Sequence, residues 1–204
     1  MMGGKIVVPG EIIAEGSKGS TNSYAENGEV RSEVVGLADE KGGRVIALNG
    51  QYVPREADWV IGVVDDVRYA GCNVEIKSAY KAFILTKLTR IEFRMGDVVG
   101  AKIERIDEAK NIDLAEPRRL AGGEILEISA VKVPRVIGKA NSMINLLIKG
   151  TGSEILVGRN GRIWIKGGNS ALAVRAILMI ERESHKSGLT DRITDFLQSG
   201  GQSG

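Results

Sequence analysis

Twelve residues constrain this chain more than any others: Val133-Pro134-Arg135-Val136-Ile137-Gly138-Lys139-Ala140-Asn141-Ser142-Met143-Ile144. Proline suits the first turn of a helix, where no intrahelical N–H is needed, so Pro134 opens a short one. Gly138 ends it and starts a tight basic loop, and Ser142 begins a second helix. Met143, Ile144, Leu146, Leu147 and Ile148 are the apolar positions of that helix, and Gly150 and Gly152 end it. A strand is predicted before the first helix, at Glu124–Ile128. Two more follow the second, Ser153–Val157 and Arg162–Ile165, joined by a turn containing Asn160-Gly161. Asn169 is placed to cap a helix from Ser170 to about Ser184, with Leu172, Ala173, Ala176, Ile177, Met179 and Ile180 on its apolar stripe. The order is βααββα. Leu189, Ile193, Phe196 and Leu197 mark one further amphipathic helix, and 199–204 reads as a frayed end.

At 204 residues the chain has room for one large domain or two to three small ones. Aromatic residues make up 4% and glycines number 27, which favours small β-rich units joined by tight turns over one aromatic core. The lone Cys72 excludes an internal disulfide and a cysteine-rich zinc site, and the lone His185 argues against a triad or a histidine metal site. His185 itself reads as a helix-terminal residue favoured by the helix dipole. No metal ligand set, cofactor or catalytic constellation is expected. No apolar run approaches roughly 20 residues, so no membrane span is expected, and no leader is visible; the expected location is cytoplasmic. The net charge of +2 hides an uneven distribution. Between Pro117 and Arg175 there are ten basic and three acidic residues, a net +7 that suits a polyanionic partner or a solvated basic surface.

The rest of the chain reads as β. In residues 1–52, strands are expected at Lys5–Val8, Glu11–Glu15, Glu29–Leu37 and Arg44–Leu48, with a polar loop at 16–23 and Pro-Gly, Asn-Gly and Gly-Gly turns between hairpins. Their apolar content is small for an independent core. In residues 53–116, a polar turn followed by an apolar strand is expected within Tyr52–Val67, with Gly62 at a bend, and the same turn-plus-strand design at Gly96–Ile106; further strands are expected at Asn73–Lys77, Ala82–Leu85 and Asn111–Leu114. Five strands in about 60 residues suit an OB-fold barrel. Residues 117–123 read as a linker and 124–204 as the mixed α/β unit with its extra helix. The fold class is therefore multidomain: an N-terminal β domain, a five-stranded OB barrel and a βααββα domain.

A βααββα order with a Gly-x-x-x loop between the first two helices resembles the type I KH fold, whose Gly-x-x-Gly loop clamps a nucleic-acid backbone. Here the loop is Gly138-Lys139-Ala140-Asn141. Asn accepts a left-handed conformation or a capping position, but its side chain obstructs close approach and Ala140 supplies no charge. The loop therefore reads either as a weakened RNA grip or as a retained scaffold. More specifically, Val131–Lys139, Ser142-Met143-Ile144 and Gly158-Arg159-Asn160-Gly161-Arg162-Ile163-Trp164-Ile165 resemble the RNA-binding cap subunits of the archaeal exosome, the Rrp-four type. Val7–Glu11, Gly50–Pro54 and Asp58–Gly62 fit the same family, in the same order.

That resemblance implies a non-catalytic subunit. Three copies would sit on a hexameric ring of phosphorolytic RNase PH-like subunits and guide RNA 3′ ends into it. The N-terminal domain would meet the ring and the barrels would surround the pore. It also implies that Gly158, Arg159, Asn160 and Gly161 form a structural turn between KH domain and barrel. The RNA would be single-stranded and bound with little sequence preference. Candidate RNA contacts are Arg68, Tyr69, Lys77 and Lys81 in the barrel, Arg118 and Arg119 beyond it, and Lys132, Arg135, Gly138, Lys139, Ala140 and Asn141 in the KH domain. Lys87, Arg90 and Arg94 add barrel charge. Tyr80 and Phe83 are either stacking residues or core, with Phe83 read as core. Asp65-Asp66 and Asp107-Glu108 read as solvated turn residues. The alternative function is a free-standing OB/KH RNA-binding regulator of transcription or translation. A polynucleotide phosphorylase fragment is disfavoured because that enzyme places KH before the barrel.

Overall fold

The computed structural model describes residues 5–15, 18–20, 22–39, 43–47, 50–85, 91–184 and 188–200. It divides into two units, Met1–Gln51 and Tyr52–Gly204.

The first unit holds two antiparallel three-stranded sheets. One pairs β1 (Lys5–Val7), β5 (Gly36–Asp39) and β6 (Arg44–Ala47); the other pairs β2 (Ile12–Glu15), β4 (Glu29–Ser32) and β3 (Ser23–Glu26). Pro9-Gly10 forms the turn after β1, with Glu11 N–H donating to the Val8 carbonyl and Gly10 at φ +85. Asn27-Gly28, both at positive φ, turns β3 into β4, as expected of a primed hairpin turn. The single strand expected at Glu29–Leu37 is split. The Ser32 hydroxyl bonds to the main chain of Val34, and the chain leaves one sheet there to enter the other. Strand β3 begins at Ser23, the last residue of the expected polar loop. The core is small: Val7, Ala38 and Val45, with Ile13 and Val34 against them.

The second unit begins with a closed five-stranded barrel: β7 (Trp59–Arg68), β8 (Gly71–Glu75), β9 (Ala82–Leu85), β10 (Val98–Ile106) and β11 (Ile112–Arg119), in the order β10-β11-β9-β8-β7. Only β9 and β11 pair in parallel. Alternation sends Val60, Val64, Cys72, Val74, Ile76, Ala82, Ile84, Val99, Ala101, Ile103, Ile112 and Leu114 inward. Gly62 is needed for room as well as for bending: a β-carbon there would overlap the Val74 side chain. The last strand runs five residues beyond Leu114. Residues 117–119 therefore belong to β11 and not to a linker. Lys102 pairs Ala115 while Gly100 pairs Arg118, so Glu116 and Pro117 sit in a bulge opposite Ala101. A bulge accommodates a proline that has no N–H to give the ladder.

The chain continues through β12 (Glu124–Glu127), α1 (Val133–Ile137), α2 (Ser142–Thr151), β13 (Glu154–Val157), β14 (Arg162–Lys166), α3 (Ser170–Glu183) and α4 (Leu189–Gln198). The sheet order is β12-β14-β13, all antiparallel. This is the KH fold. Pro134 lies in the first turn of α1, the Asn169 side chain accepts the Leu172 N–H at 3.0 Å, and left-handed Gly152 ends α2. The helices cover one sheet face through Val133, Val136, Met143, Leu147, Ala173, Ala176, Ile177 and Ile180. Helix α4 adds Leu189, Ile193, Phe196 and Leu197 to the same core. Gly150 lacks the β-carbon that would press on Leu197. His185 lies outside the described residues.

Candidate nucleic-acid interface

The barrel and the KH domain meet through the turn Gly158-Arg159-Asn160-Gly161 between β13 and β14. Asn160 is fully buried. Its Nδ2 donates to the main-chain oxygens of Ile61 (2.7 Å) and Ile76 (2.9 Å), and its Oδ1 accepts the Ile61 N–H at 3.2 Å. One side chain thus satisfies three main-chain groups on two barrel strands or their ends. The Arg159 N–H donates to the Trp59 carbonyl at 2.8 Å. Gly161 takes φ +83, and a β-carbon there would overlap the Ile128 carbonyl. Beside the turn, Ile61, Leu120 and Trp164 form a buried apolar cluster joined by Trp59, Val98, Ile125 and Leu156.

An ion-pair network borders this seam. Arg162, in β14, bonds the Glu75 carboxylate and carbonyl from one side and Glu127 at 2.9 Å from the other. Lys77 reaches Glu127 at 3.1 Å and the Ile128 carbonyl at 3.4 Å. The Arg162 guanidinium, and then Lys77, hold the Glu127 carboxyl below its ordinary range. Lys77, a candidate phosphate contact from the sequence, has its ammonium at the seam, and its backbone takes a positive φ just beyond β8. The partners Glu75, Glu127 and Arg162 escaped the sequence reading. The available signal was an arginine opening an otherwise apolar strand, Arg162-Ile163-Trp164-Ile165.

The other candidate residues fall in four separate places. In the KH domain, Lys132 is half-buried just before α1, and Arg135 on α1 and Lys139, Ala140 and Asn141 in the loop that follows are exposed. Gly138 (φ +74), Ala140 (φ +49) and Asn141 (φ +63) all take positive φ. A β-carbon at Gly138 would lie 2.7 Å from the Met143 nitrogen, so that position requires glycine. Asn141 occupies the N-cap of α2 in a left-handed conformation and makes no side-chain cap bond. The second place is the β7–β8 hairpin tip. Tyr69 is 96% exposed there, and Arg68 bonds Asp66 at 2.7 Å. Glu75, at the seam, lies at the opposite end of β8 from Gly71, about 13 Å away at ~3.3 Å per residue, so the tip stands off from the seam. The third is the end of β11, where Arg118 is exposed and Arg119 bonds Asp97 at 2.7 Å. Lys81 is exposed in the loop before β9. Lys87 and Arg90 lie outside the described residues, and Arg94 is exposed.

Phe83 is not core. It alternates outward between buried Ala82 and Ile84, and its ring covers Gly71. With Leu85, Ala115 and Pro117 it lines a groove of 440 Å³ that Glu104, Asp113 and Glu116 also border. Phe83 is half-buried there, and Tyr80 is exposed, at 38%. Asp107 accepts from the Asn111 main chain (2.7 Å) and side chain (2.8 Å), which lowers its pKa and closes the β10–β11 turn. Asp66 is taken up by Arg68. Among the described residues, no group of three or more His, Cys, Asp or Glu side chains could hold a metal ion.

A family model described as the KH domain matches residues 123–171. Relatives named exosome complex component Rrp4 align along most of the chain. The protein from Pyrococcus furiosus is 42% identical over 96% of this chain and 83% of its own. Those from Methanothermus fervidus (42% identical; 94% of each chain) and Picrophilus torridus (40% identical; 98% of this chain and 96% of its own) agree. A crystal structure provisionally assigned as an exosome complex RNA-binding protein superposes with a TM-score of 0.67 at 34% identity, covering 74% of this chain and 97% of that one. With identity of this level along nearly the whole length, and with the barrel and KH domain locked through the same chain, the protein belongs to the Rrp4 family of exosome complex components.

Proposed function

We propose that this chain is an RNA-binding cap subunit of an archaeal exosome, holding single-stranded RNA and guiding its 3′ end into a phosphorolytic 3′-to-5′ exoribonuclease ring. The observation that carries the reading is the seam. Asn160, with the Arg162 network, joins an OB barrel and a KH domain into one platform, while the KH loop 138–141 stays exposed beside Lys132 and Arg135. A fixed two-domain platform suits guidance, where orientation matters more than affinity. Affinity would come mainly from Lys and Arg on phosphates, with little sequence preference.

The subunit is non-catalytic in this reading. Three copies cap a hexameric RNase PH-like ring, so that weak individual contacts gain avidity around one pore. No described helix is long and apolar enough to cross a membrane, and the proposed location is cytoplasmic. Two measurements test the reading. The purified chain should bind single-stranded RNA weakly, degrade none with or without phosphate, and co-elute with the ring proteins. Phosphate-dependent RNA decay by the purified chain, or its failure to join the ring, would overturn it.

A further inference from the structure

The outer surface of the barrel carries both acidic and basic groups. On the β8–β9–β11 side, where OB barrels commonly take oligonucleotides, the groove beside Phe83 is bordered by Glu104, Asp113 and Glu116. Asp113 is paired with Arg105 at 2.9 Å, so Glu104 and Glu116 are the carboxylates that disfavour a polyanion in the groove itself.

Beside that groove, β7 and β10 present an aromatic side chain with cations near it. Trp59 opens β7 and is half-buried; its inner part packs with the Ile61, Leu120 and Trp164 cluster. A β-carbon at Gly100 would overlap the six-membered ring of Trp59, so the indole lies across the β10 backbone, over a residue with no side chain to displace it. Lys102 is the register partner of Trp59, and Arg118 is the register partner of Gly100 on the far side of β10. With neighbouring strands about 5 Å apart, the indole is flanked by one cation on β10 and another on β11. The Arg159 main-chain bond to the Trp59 carbonyl brings a third. Lys102, Arg118 and Arg159 are all exposed.

We infer that Trp59 is a base-stacking position for single-stranded RNA, with Lys102, Arg118 and Arg159 meeting the adjoining phosphates. An aromatic face set among cations is how single strands are held without sequence readout, since every base has a π-face. Gly100 has a positive role here: it gives the indole a flat bed and leaves its outer part free. The inference rests on the RNA-binding reading above and adds a place on the barrel for it, on β7 and β10 beside that groove.

The chain has two tryptophans, so Trp164→Phe leaves Trp59 as the sole indole. The Trp164 Nε1 is buried without a partner, so that replacement removes no hydrogen bond. Titrating this full-length variant with an unstructured oligoadenylate at low salt should quench its fluorescence in step with RNA binding measured independently. Trp59→Leu should weaken binding about tenfold. The double variant Lys102→Gln, Arg118→Gln lies on the surface and should keep the wild-type melting temperature. It should lower the slope of log K against log salt by about 0.7 per charge removed. RNA that binds with no change in indole emission, together with an unaltered slope in the double variant, would overturn the inference and leave the RNA-binding reading standing. No RNA binding by the wild-type chain at any salt would overturn both.

Discussion

Two turns of the KH domain use the same residue types for opposite ends. Gly138-Lys139-Ala140-Asn141 and Gly158-Arg159-Asn160-Gly161 each begin with glycine, carry a basic second residue and contain an asparagine. In the first, Asn141 is exposed, left-handed and without a capping bond. In the second, Asn160 is buried and makes three hydrogen bonds to the barrel main chain. A buried amide left without those partners would cost the full desolvation of each group, whereas an exposed one exchanges protein partners for water at little net cost. One turn is therefore held by tertiary structure, and the other is held only by the helices on either side of it.

Substitutions should break that comparison unevenly. Asn160→Ala strands the Ile61 N–H and two carbonyls at the seam, and should destabilise the 52–204 unit by about 3 kcal/mol, read as a lower urea midpoint. An unchanged midpoint would mean that water replaces the amide and that the seam is not held by it. Gly161→Ala combines an unfavourable positive φ with overlap of the Ile128 carbonyl, and should cost about 2 kcal/mol in the same measurement.

The seam should also respond to acid. The native pKa of Glu127 lies below that of an unfolded carboxyl, so the unfolded state takes up the proton first. Its contribution is complete above the ordinary carboxylate range and is lost as pH falls through the depressed native value. Glu127 is 48% exposed and screened by solvent, so Glu127→Gln should lower neutral-pH stability by under about 1 kcal/mol, and the gap from wild type should close in acid. A gap that persists unchanged to low pH would assign the effect to packing. The smallest change is expected from Asn141→Gly in the exposed turn. Glycine suits its positive φ, so stability should shift by less than about 1 kcal/mol, and RNA affinity should rise as the backbone becomes approachable. A fall in affinity would make the Asn141 amide itself an RNA contact.

Much of the fold is legible in local chemistry. Pro134, Asn169 and Gly152 mark helix ends because proline, a capping amide and a left-handed glycine act on the main chain within a few residues of themselves. The alternation over Asn73–Lys77 puts Val74 and Ile76 inside without knowledge of any partner strand. Elements whose character depends on distant pairing were harder to read. Pro117 looks like a linker residue until the Lys102–Ala115 and Gly100–Arg118 register exposes the bulge that admits it. Phe83 looks like core until Gly71, on the next strand, provides room for its ring outside the barrel. Lys77 looks like a phosphate ligand until Glu127, fifty residues on in the sequence, stands 3.1 Å from its ammonium.

The Asn160-Gly161 pair shows where the division lies. Sequence alone determined that a tight turn would join two strands there, because Asn and Gly tolerate backbone angles that other residues resist. It could not say what the asparagine amide would do, since its acceptors belong to residues 99 and 84 positions earlier in the chain. Only the closed barrel, by fixing the registers of β7 and β8, brings the Ile61 and Ile76 carbonyls to one point. There the amide meets two acceptors and a donor together, and a turn residue becomes the joint between two domains.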